Sequence, residues 1–170
     1  MKSIIIKDSI FNSVGVQQNI NLLTVNDIKI VDSSSGIYFC DVFVKTRSFQ
    51  VELFDVSITE IEFIRIKNDL IGFLQNTESY VEFEQLESLF KIRFERNSGN
   101  NDSFKLFINV RDLYYGEMNI KTNISKESLK ELIEQIYENI EPIDQKLWAM
   151  SNLEIKEHFI EKWRQEGLFK

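Results

Sequence analysis

The chain offers few side chains for nucleophilic chemistry. It has one cysteine, Cys40, and one histidine, His158. Nucleophilic catalysis needs a nucleophile beside a base, which a third group commonly orients. Cys40 lies on the apolar side of a predicted strand, where a buried thiol is the usual state, and His158 lies in a charged, helical segment. We therefore predict no catalytic residues and no enzymatic activity.

Metal and cofactor sites are not predicted either. Zinc and iron–sulfur sites need several cysteine or histidine ligands, which this chain lacks. A site for magnesium or calcium built only from carboxylates remains conceivable, but the spacing of a calcium-binding loop is absent. Only 6 glycines are present, and none forms a phosphate-binding loop or a dinucleotide fingerprint. The sequence predicts no metal and no cofactor.

The densest acidic cluster on a predicted sheet consists of Glu82, Glu84 and Glu87. Glu82 and Glu84 are two residues apart on a strand, so their side chains point to the same face. Paired carboxylates can perform acid–base chemistry on a glycoside. However, Lys91 and Arg93 fall on the polar face of the next predicted strand, and cross-strand charge pairs account for these four residues. We interpret the three glutamates as a candidate partner-binding edge.

The overall charge points to a class of partner. The formal net charge is −7, and such a surface repels phosphate backbones and anionic lipids. We therefore expect no nucleic-acid partner and no membrane partner, and we expect a basic protein partner if the charge is concentrated on one face. Solubility alone is the other explanation of the charge. The pattern leaves open whether the chain is a monomer or a homodimer.

The expected location is the cytoplasm. A lone cysteine forms no intramolecular disulfide and permits a reducing compartment. The apolar run near the N-terminus is too short for a signal peptide, and no later run approaches the length of a membrane span.

Hydrophobic periodicity predicts a single α+β domain over residues 1–170. Its core is an antiparallel β-sheet, made of two β-meander stretches and covered by two amphipathic helices, with a C-terminal helical extension. No internal repeat is visible in the sequence. The predicted segments are a first β stretch at 1–57, a helix at 58–76, a β meander at 80–124, a helix at 125–140 and a helical tail at 141–170.

Local signals predict where the elements begin and end. Capping-box spacing predicts helix starts at Ser57, with Glu60, and at Ser151, with Glu154, while Ser125 is a predicted N-cap. Pro142 fits the first turn of a short helix. Further predicted boundaries are a loop at 97–102, a hairpin turn at 114–117 and a helix stop at Gly167.

Several segments between residues 38 and 140 follow a recognisable order of elements. They include Leu70-Ile71-Gly72-Phe73-Leu74, Tyr80-Val81-Glu82-Phe83-Glu84, Leu89-Phe90-Lys91-Ile92-Arg93-Phe94, residues 104–110 and residues 120–140. This order of elements resembles WapI-like immunity proteins of bacterial polymorphic toxin systems. The resemblance implies a cytoplasmic protein that neutralises a cognate toxin domain by direct one-to-one binding, and it transfers no contact residues to this chain.

A second hypothesis comes from the tail, which looks like an addition to that family's pattern. Trp148 and Trp163 lie in this last segment with several large apolar residues. Exposed together, they would form an adhesive surface. The alternative function is therefore a structural or assembly protein of a mobile element or secretion system that oligomerises through its tail. A tail folded back on the sheet explains the same residues without this function.

Overall fold

The same order of elements, four strands followed by a helix, occurs twice along the chain. A computed structural model describes residues 3–11, 17–32, 34, 36–46, 50–112 and 116–166. The first unit comprises β1 (Ile4–Phe11), β2 (Gln17–Asp32), β3 (Ile37–Lys45), β4 (Gln50–Thr59) and α1 (Glu60–Leu74). The second comprises β5 (Tyr80–Glu84), β6 (Phe90–Asn97), β7 (Asn100–Asp112), β8 (Gly116–Ser125) and α2 (Lys126–Asn139). The tail contains α3 (Gln145–Ala149) and α4 (Asn152–Gln165).

Each unit forms its own antiparallel sheet, in which neighbouring strands are consecutive in sequence. We call β1-β2-β3-β4 the first sheet and β5-β6-β7-β8 the second sheet. The predicted α+β class with antiparallel meanders and covering helices is confirmed. The structure adds that the meanders form two separate sheets with the same topology. This repeat was invisible in the sequence because topology can recur without any recurrence of residues.

The core lies between the buried faces of the two sheets. In β3 the apolar residues Tyr38, Cys40, Val42 and Val44 alternate with more exposed ones, as the period of two requires. A small apolar cavity of about 50 Å³ is lined by side chains from both sheets and from α1 and α2. Both halves of the chain therefore contribute to one continuous core.

The first helix begins later than the capping-box prediction. Its N-cap is Thr59, whose hydroxyl accepts from the Glu62 N–H at 3.2 Å, while the Glu62 carboxylate accepts from the Thr59 N–H at 2.7 Å. Ser57 instead belongs to β4, because the ladder with β3 continues to the pair Ile37–Thr59. Two overlapping capping-box patterns are present, and strand pairing selects the second. The predicted caps at Ser125 and Ser151 are confirmed.

Two other boundaries differ from the predictions. The loop expected at 97–102 is a tight turn, because β6 extends to Asn97 and β7 begins at Asn100, with Gly99 at a φ of +86°. Glycine adopts that backbone conformation without a steric penalty. The short helix expected to start at Pro142 starts at Gln145, with Asp144 as its N-cap. The turn predicted around 114–115 and the stop at Gly167 lie outside the described residues.

The tail packs against α1 through buried polar contacts. The Glu60 carboxylate accepts hydrogen bonds from the backbone N–H groups of Ile143 (2.6 Å) and Asp144 (3.0 Å) and from Nε1 of Trp148 (2.7 Å). Two helical turns further along α1, Nζ of Lys67 donates to the Trp148 carbonyl at 2.7 Å. The tail is therefore folded back, as one of the two explanations from sequence expected. It packs against α1, however, and not against the sheet.

Candidate functional site

The outward face of the second sheet holds the glutamates that the sequence singled out. In the ladder between β5 and β6, Glu82 lies opposite Arg93 and Glu84 opposite Lys91. Nζ of Lys91 lies 2.8 Å from Oε1 of Glu82 and 3.3 Å from Oε2 of Glu84, and Arg93 lies 3.4 Å from Glu82. The predicted cross-strand charge pairs are therefore confirmed. Their charges are largely compensated within the face.

Glu87 does not join the other two glutamates. It lies in the turn between β5 and β6, which is organised by the buried side chain of Gln85. Oε1 of Gln85 accepts from the N–H groups of Glu87 (3.1 Å) and Leu89 (3.2 Å), and its Nε2 donates to the Ser57 carbonyl at 2.8 Å. The structure thus places Glu82 and Glu84 on the sheet and Glu87 on a loop beside it. A partner-binding role for the three residues stays a prediction.

The outward face of the second sheet carries cations as well as glutamates, and we call it the mixed-charge face. The residues that point outward from β5 to β8 include four carboxylates and five cationic side chains, which are Glu82, Glu84, Glu95, Glu117, Lys91, Arg93, Lys105, Arg111 and Lys121. Aromatic rings lie among them: Nζ of Lys121 is 5.3 Å from the Phe107 ring centroid, and the Arg93 guanidinium is 4.6 Å from that of Tyr80. A wide open depression of about 610 Å³ follows the face.

The outward face of the first sheet has a different character, which the sequence reading missed. Phe39 and Phe43 project from β3 on the side opposite to the core. Phe54 in β4 is 62% exposed and meets Phe43 edge-on, with ring centroids 6.1 Å apart. The signal was visible in the sequence as Phe39 and Phe43 on the polar side of the β3 alternation, together with Asp41. An aromatic residue on a strand is commonly interpreted as core.

Carboxylates surround these rings. Asp41 and Glu52 lie on the same side of the sheet as Phe43, and Asp55 occupies a bulge at a φ of +53°, where its N–H donates to Oδ1 of Asp41 at 3.1 Å. The pKa of Lys29 is raised by its hydrogen bond and ion pair with Asp27, with smaller contributions from Asp41 and Asp55. We call Phe39, Phe43, Phe54, Asp41, Glu52 and Asp55 the acidic–aromatic face.

Cys40 and His158 occupy unrelated surroundings. Cys40 is buried, and its Sγ donates to the Val56 carbonyl at 3.5 Å. His158 is exposed on α4 and meets the Phe159 ring edge-on at 5.4 Å. The prediction of a core thiol is confirmed. The described residues contain no group of three or more histidine, cysteine, aspartate or glutamate side chains placed to hold a metal ion.

Burial of Cys40 makes the stability depend on alkaline pH. Burial first, and then the charge of Asp41, raises the pKa of the thiol from 9.0 to about 12. Above pH 9 the thiol of the unfolded chain loses its proton while the folded chain keeps it, so the unfolded state binds fewer protons and stability falls until about pH 12. The limiting slope is about 1.4 kcal/mol per pH unit.

We expect Cys40→Ala to remove this part of the alkaline loss. Urea midpoints at pH 8, 9.5 and 10.5 are compared between wild type and variant. Burial also raises the pKa of Tyr38, but this tyrosine contributes equally to both proteins. Parallel pH profiles for the two proteins would contradict the prediction.

No helix among the described residues has the length and apolar character needed to cross a bilayer.

Comparisons with known proteins give a likeness only at the level of solved structures. No protein-family model matches the chain, and no curated protein matches it. Crystal structures of MRP1/MRP2 from Trypanosoma brucei are similar at 10% identity and a TM-score of 0.44, covering 78% of this chain and 81% of that chain. A guide-RNA-binding protein complex bound to a gRNA is similar at 10% identity and a TM-score of 0.40, covering 61% of this chain and 70% of that one. These values assign no function to this chain.

One expectation is nevertheless corrected. The second of these structures is bound to RNA, and the expectation of no nucleic-acid partner, drawn from net charge, is withdrawn because of the charges on this chain's own surface. The physical error lies in the use of a whole-chain average. A net charge of −7 does not fix the charge of each surface, and on the mixed-charge face the described cations outnumber the carboxylates.

Proposed function

We propose that this chain is a non-catalytic binding protein of the immunity type, which neutralises a basic toxin domain by covering it with the acidic–aromatic face. The observation that carries the proposal is a set of phenylalanines on the solvent side of a sheet, with carboxylates around them. The choice of a toxin as the partner comes from the resemblance of residues 38–140 to WapI-like immunity proteins.

The aromatic part of the face supports protein binding. Phe54 is 62% exposed and Phe39 is 37% exposed, on neighbouring strands. Leaving large rings in water forfeits the stabilisation that burial would give, and contiguous apolar surface marks interaction sites. Protein interfaces concentrate their binding energy in a few aromatic residues that a polar rim shields from water. Phe54 is the most exposed of the three rings and is our candidate for the central contact.

The charged part supports a basic partner. Asp41, Asp55 and Asp27 all lie within electrostatic reach of one ammonium group, that of Lys29. Among the described residues around Lys29, carboxylates therefore exceed cations, and an excess of one sign accelerates encounter with a partner of the opposite sign. The hydrogen bond from the Asp55 N–H fixes Asp41 in place, so part of this field is organised before binding.

The test uses the protein encoded by the gene adjacent to this one as the binding probe. We expect co-expression to rescue growth from its toxicity, and Phe54→Ala to weaken the complex by about 2 kcal/mol, or roughly thirtyfold. Leu86→Ala is the matched control, because Leu86 is an exposed apolar side chain outside the face. Calorimetry and growth assays give the two readouts.

Three outcomes would contradict the proposal. They are a failure to rescue growth, an affinity that Phe54→Ala leaves unchanged, and tight binding of a single-stranded RNA oligonucleotide with no binding of the adjacent gene product.

A further inference from the structure

The second sheet shows how this chain holds an arginine side chain on the outward face of a strand. The guanidinium of Arg93 lies 4.6 Å from the Tyr80 ring centroid. Its Nη2 is 2.7 Å from a carboxylate oxygen of Glu95, and its Nη1 is 3.4 Å from one of Glu82. A guanidinium is planar and carries its N–H donors in that plane, so it can stack on a ring and donate to carboxylates at the same time. An aromatic ring with two carboxylates beside it is therefore suited to bind an arginine.

Phenyl rings serve the same purpose in this protein. The guanidinium of Arg96 lies 4.5 Å from the Phe73 ring centroid and 5.8 Å from that of Phe104. The same side chain donates to the backbone carbonyls of Phe73 and Glu78. Stacking on a ring and donation to nearby oxygens again occur together, with phenylalanine in place of tyrosine.

Strand β4 places such a set of groups on the outward face of the first sheet. Glu52 and Phe54 are two residues apart, so their side chains point to the same side. The alternation then breaks, because Phe54 and Asp55 are both exposed between the buried residues Leu53 and Val56. A shift of the ladder with β3 marks a bulge here, where Asp55 has a φ of +53°. Bulges re-aim side chains, and this one adds a second carboxylate beside the ring.

The ring of Phe54 is accessible and held in place. Its side chain is 62% exposed, and the Phe43 ring meets it edge-on, with 6.1 Å between the centroids. Phe43 is also the residue that faces Glu52 across the strands, where the corresponding partners of Glu82 and Glu84 on the second sheet are cations. Glu52 thus lies beside two rings, as the glutamates around Tyr80 lie beside one.

We propose that Phe54 binds an arginine side chain of the partner protein, whose guanidinium stacks on the ring and donates hydrogen bonds to Glu52 and Asp55. This inference rests on the proposed function for the protein that carries the arginine, and it adds the chemical group that the face recognises. A lysine is a poorer ligand for this site, because its ammonium group is a compact, strongly hydrated charge that has no planar surface to stack on the ring.

The test is a double-mutant cycle with the adjacent gene product, in which each of its arginines is replaced by lysine in turn. Calorimetry measures the affinity of each variant for the wild-type chain and for Phe54→Leu. We expect one arginine-to-lysine substitution, which keeps the charge, to weaken the complex by about tenfold. Phe54→Leu keeps an apolar side chain and should cost about fivefold. The two losses should not add, because both substitutions remove the same contact.

Matched variants separate this contact from general effects. Asp55→Asn removes a carboxylate but suits the positive φ at this position, and it should weaken the complex by about fivefold. Glu131→Gln removes the same charge from the exposed surface of α2, and it should change the affinity little. Tyr80→Leu removes a ring that is 50% exposed on the other sheet, and it should show no coupling to any arginine of the partner.

The outcomes distinguish this inference from the proposed function. If the adjacent gene product binds but none of its arginines is coupled to Phe54, the arginine site is wrong and the proposed function stands. Equal coupling of one arginine to Phe54→Leu and to Tyr80→Leu also overturns the site. If the adjacent gene product does not bind at all, the proposed function fails, and the arginine site fails with it. Circular dichroism establishes that each variant is folded.

Discussion

A chain ending at Ile140 is expected to lose about 5 kcal/mol or more of folding free energy and to populate the unfolded state in water. The tail buries Leu147, Trp148 and Ile155, and full burial of a large apolar side chain contributes about 1.5–3 kcal/mol. Total stabilities of domains are only about 5–15 kcal/mol. Removal also leaves Glu60 and Lys67 of α1 without their tail partners.

Far-UV circular dichroism and urea unfolding measure this loss. A chain ending at Ser151 is the matched comparison, because it keeps the contacts of Trp148 and removes only α4, whose one buried residue is Ile155. We expect its free energy of unfolding to lie between that of the full-length chain and that of the chain ending at Ile140. If the chain ending at Ile140 keeps the full-length urea midpoint, the tail is an accessory to the fold, and the assignment of Trp148 to the core is wrong.

Glu60→Ala is expected to destabilise the protein by about 3–5 kcal/mol, which is large for a single substitution. The side chain is 4% exposed, and its Oε1 is the acceptor for three N–H groups of the tail. Each buried donor that loses its acceptor costs about 1–3 kcal/mol. Because all three donors belong to residues 143–148, the loss should detach this part of the tail, and the fluorescence of Trp148 should shift to longer wavelength.

Two variants test the cause. Glu60→Gln keeps a carbonyl oxygen of similar reach, so it should recover part of the lost stability. Glu131→Ala removes an exposed carboxylate from α2 and should change the stability by less than about 0.5 kcal/mol. Equal urea midpoints for Glu60→Ala and Glu131→Ala would show that the hydrogen bonds of Glu60 are not what holds the tail.

Lys67 shows why the tail could not be placed from sequence. Burial lowers the pKa of its ammonium group, which lies 5.2 Å and 5.3 Å from the ring centroids of Tyr137 and Trp148. A lysine within an amphipathic helix normally points to water. Its partners lie in α2 and α3, about 70 and 80 residues further along the chain. No local pattern records such contacts.

Local physics determined much of the molecule from sequence alone. The alternation of apolar residues located the strand-rich stretches, and helical spacing located α1, α2 and α4. The position of Cys40 among alternating apolar residues identified a core thiol, and the spacing of Glu82 and Glu84 relative to Lys91 and Arg93 identified their ion pairs. These features depend on neighbours along one strand, one helix or one hairpin, so their signals are short-range.

Only the tertiary structure decided how these elements are used. It separated the strands into two sheets, and it placed side chains of α2 against the edge strand β1. It exposed Phe39 and Phe54, whose aromatic side chains suggest core, and it buried Glu60 and Lys67, whose charged side chains suggest surface. The reason is that a period of two or 3.6 residues divides an element into faces. Which face meets water depends on segments far away in the sequence.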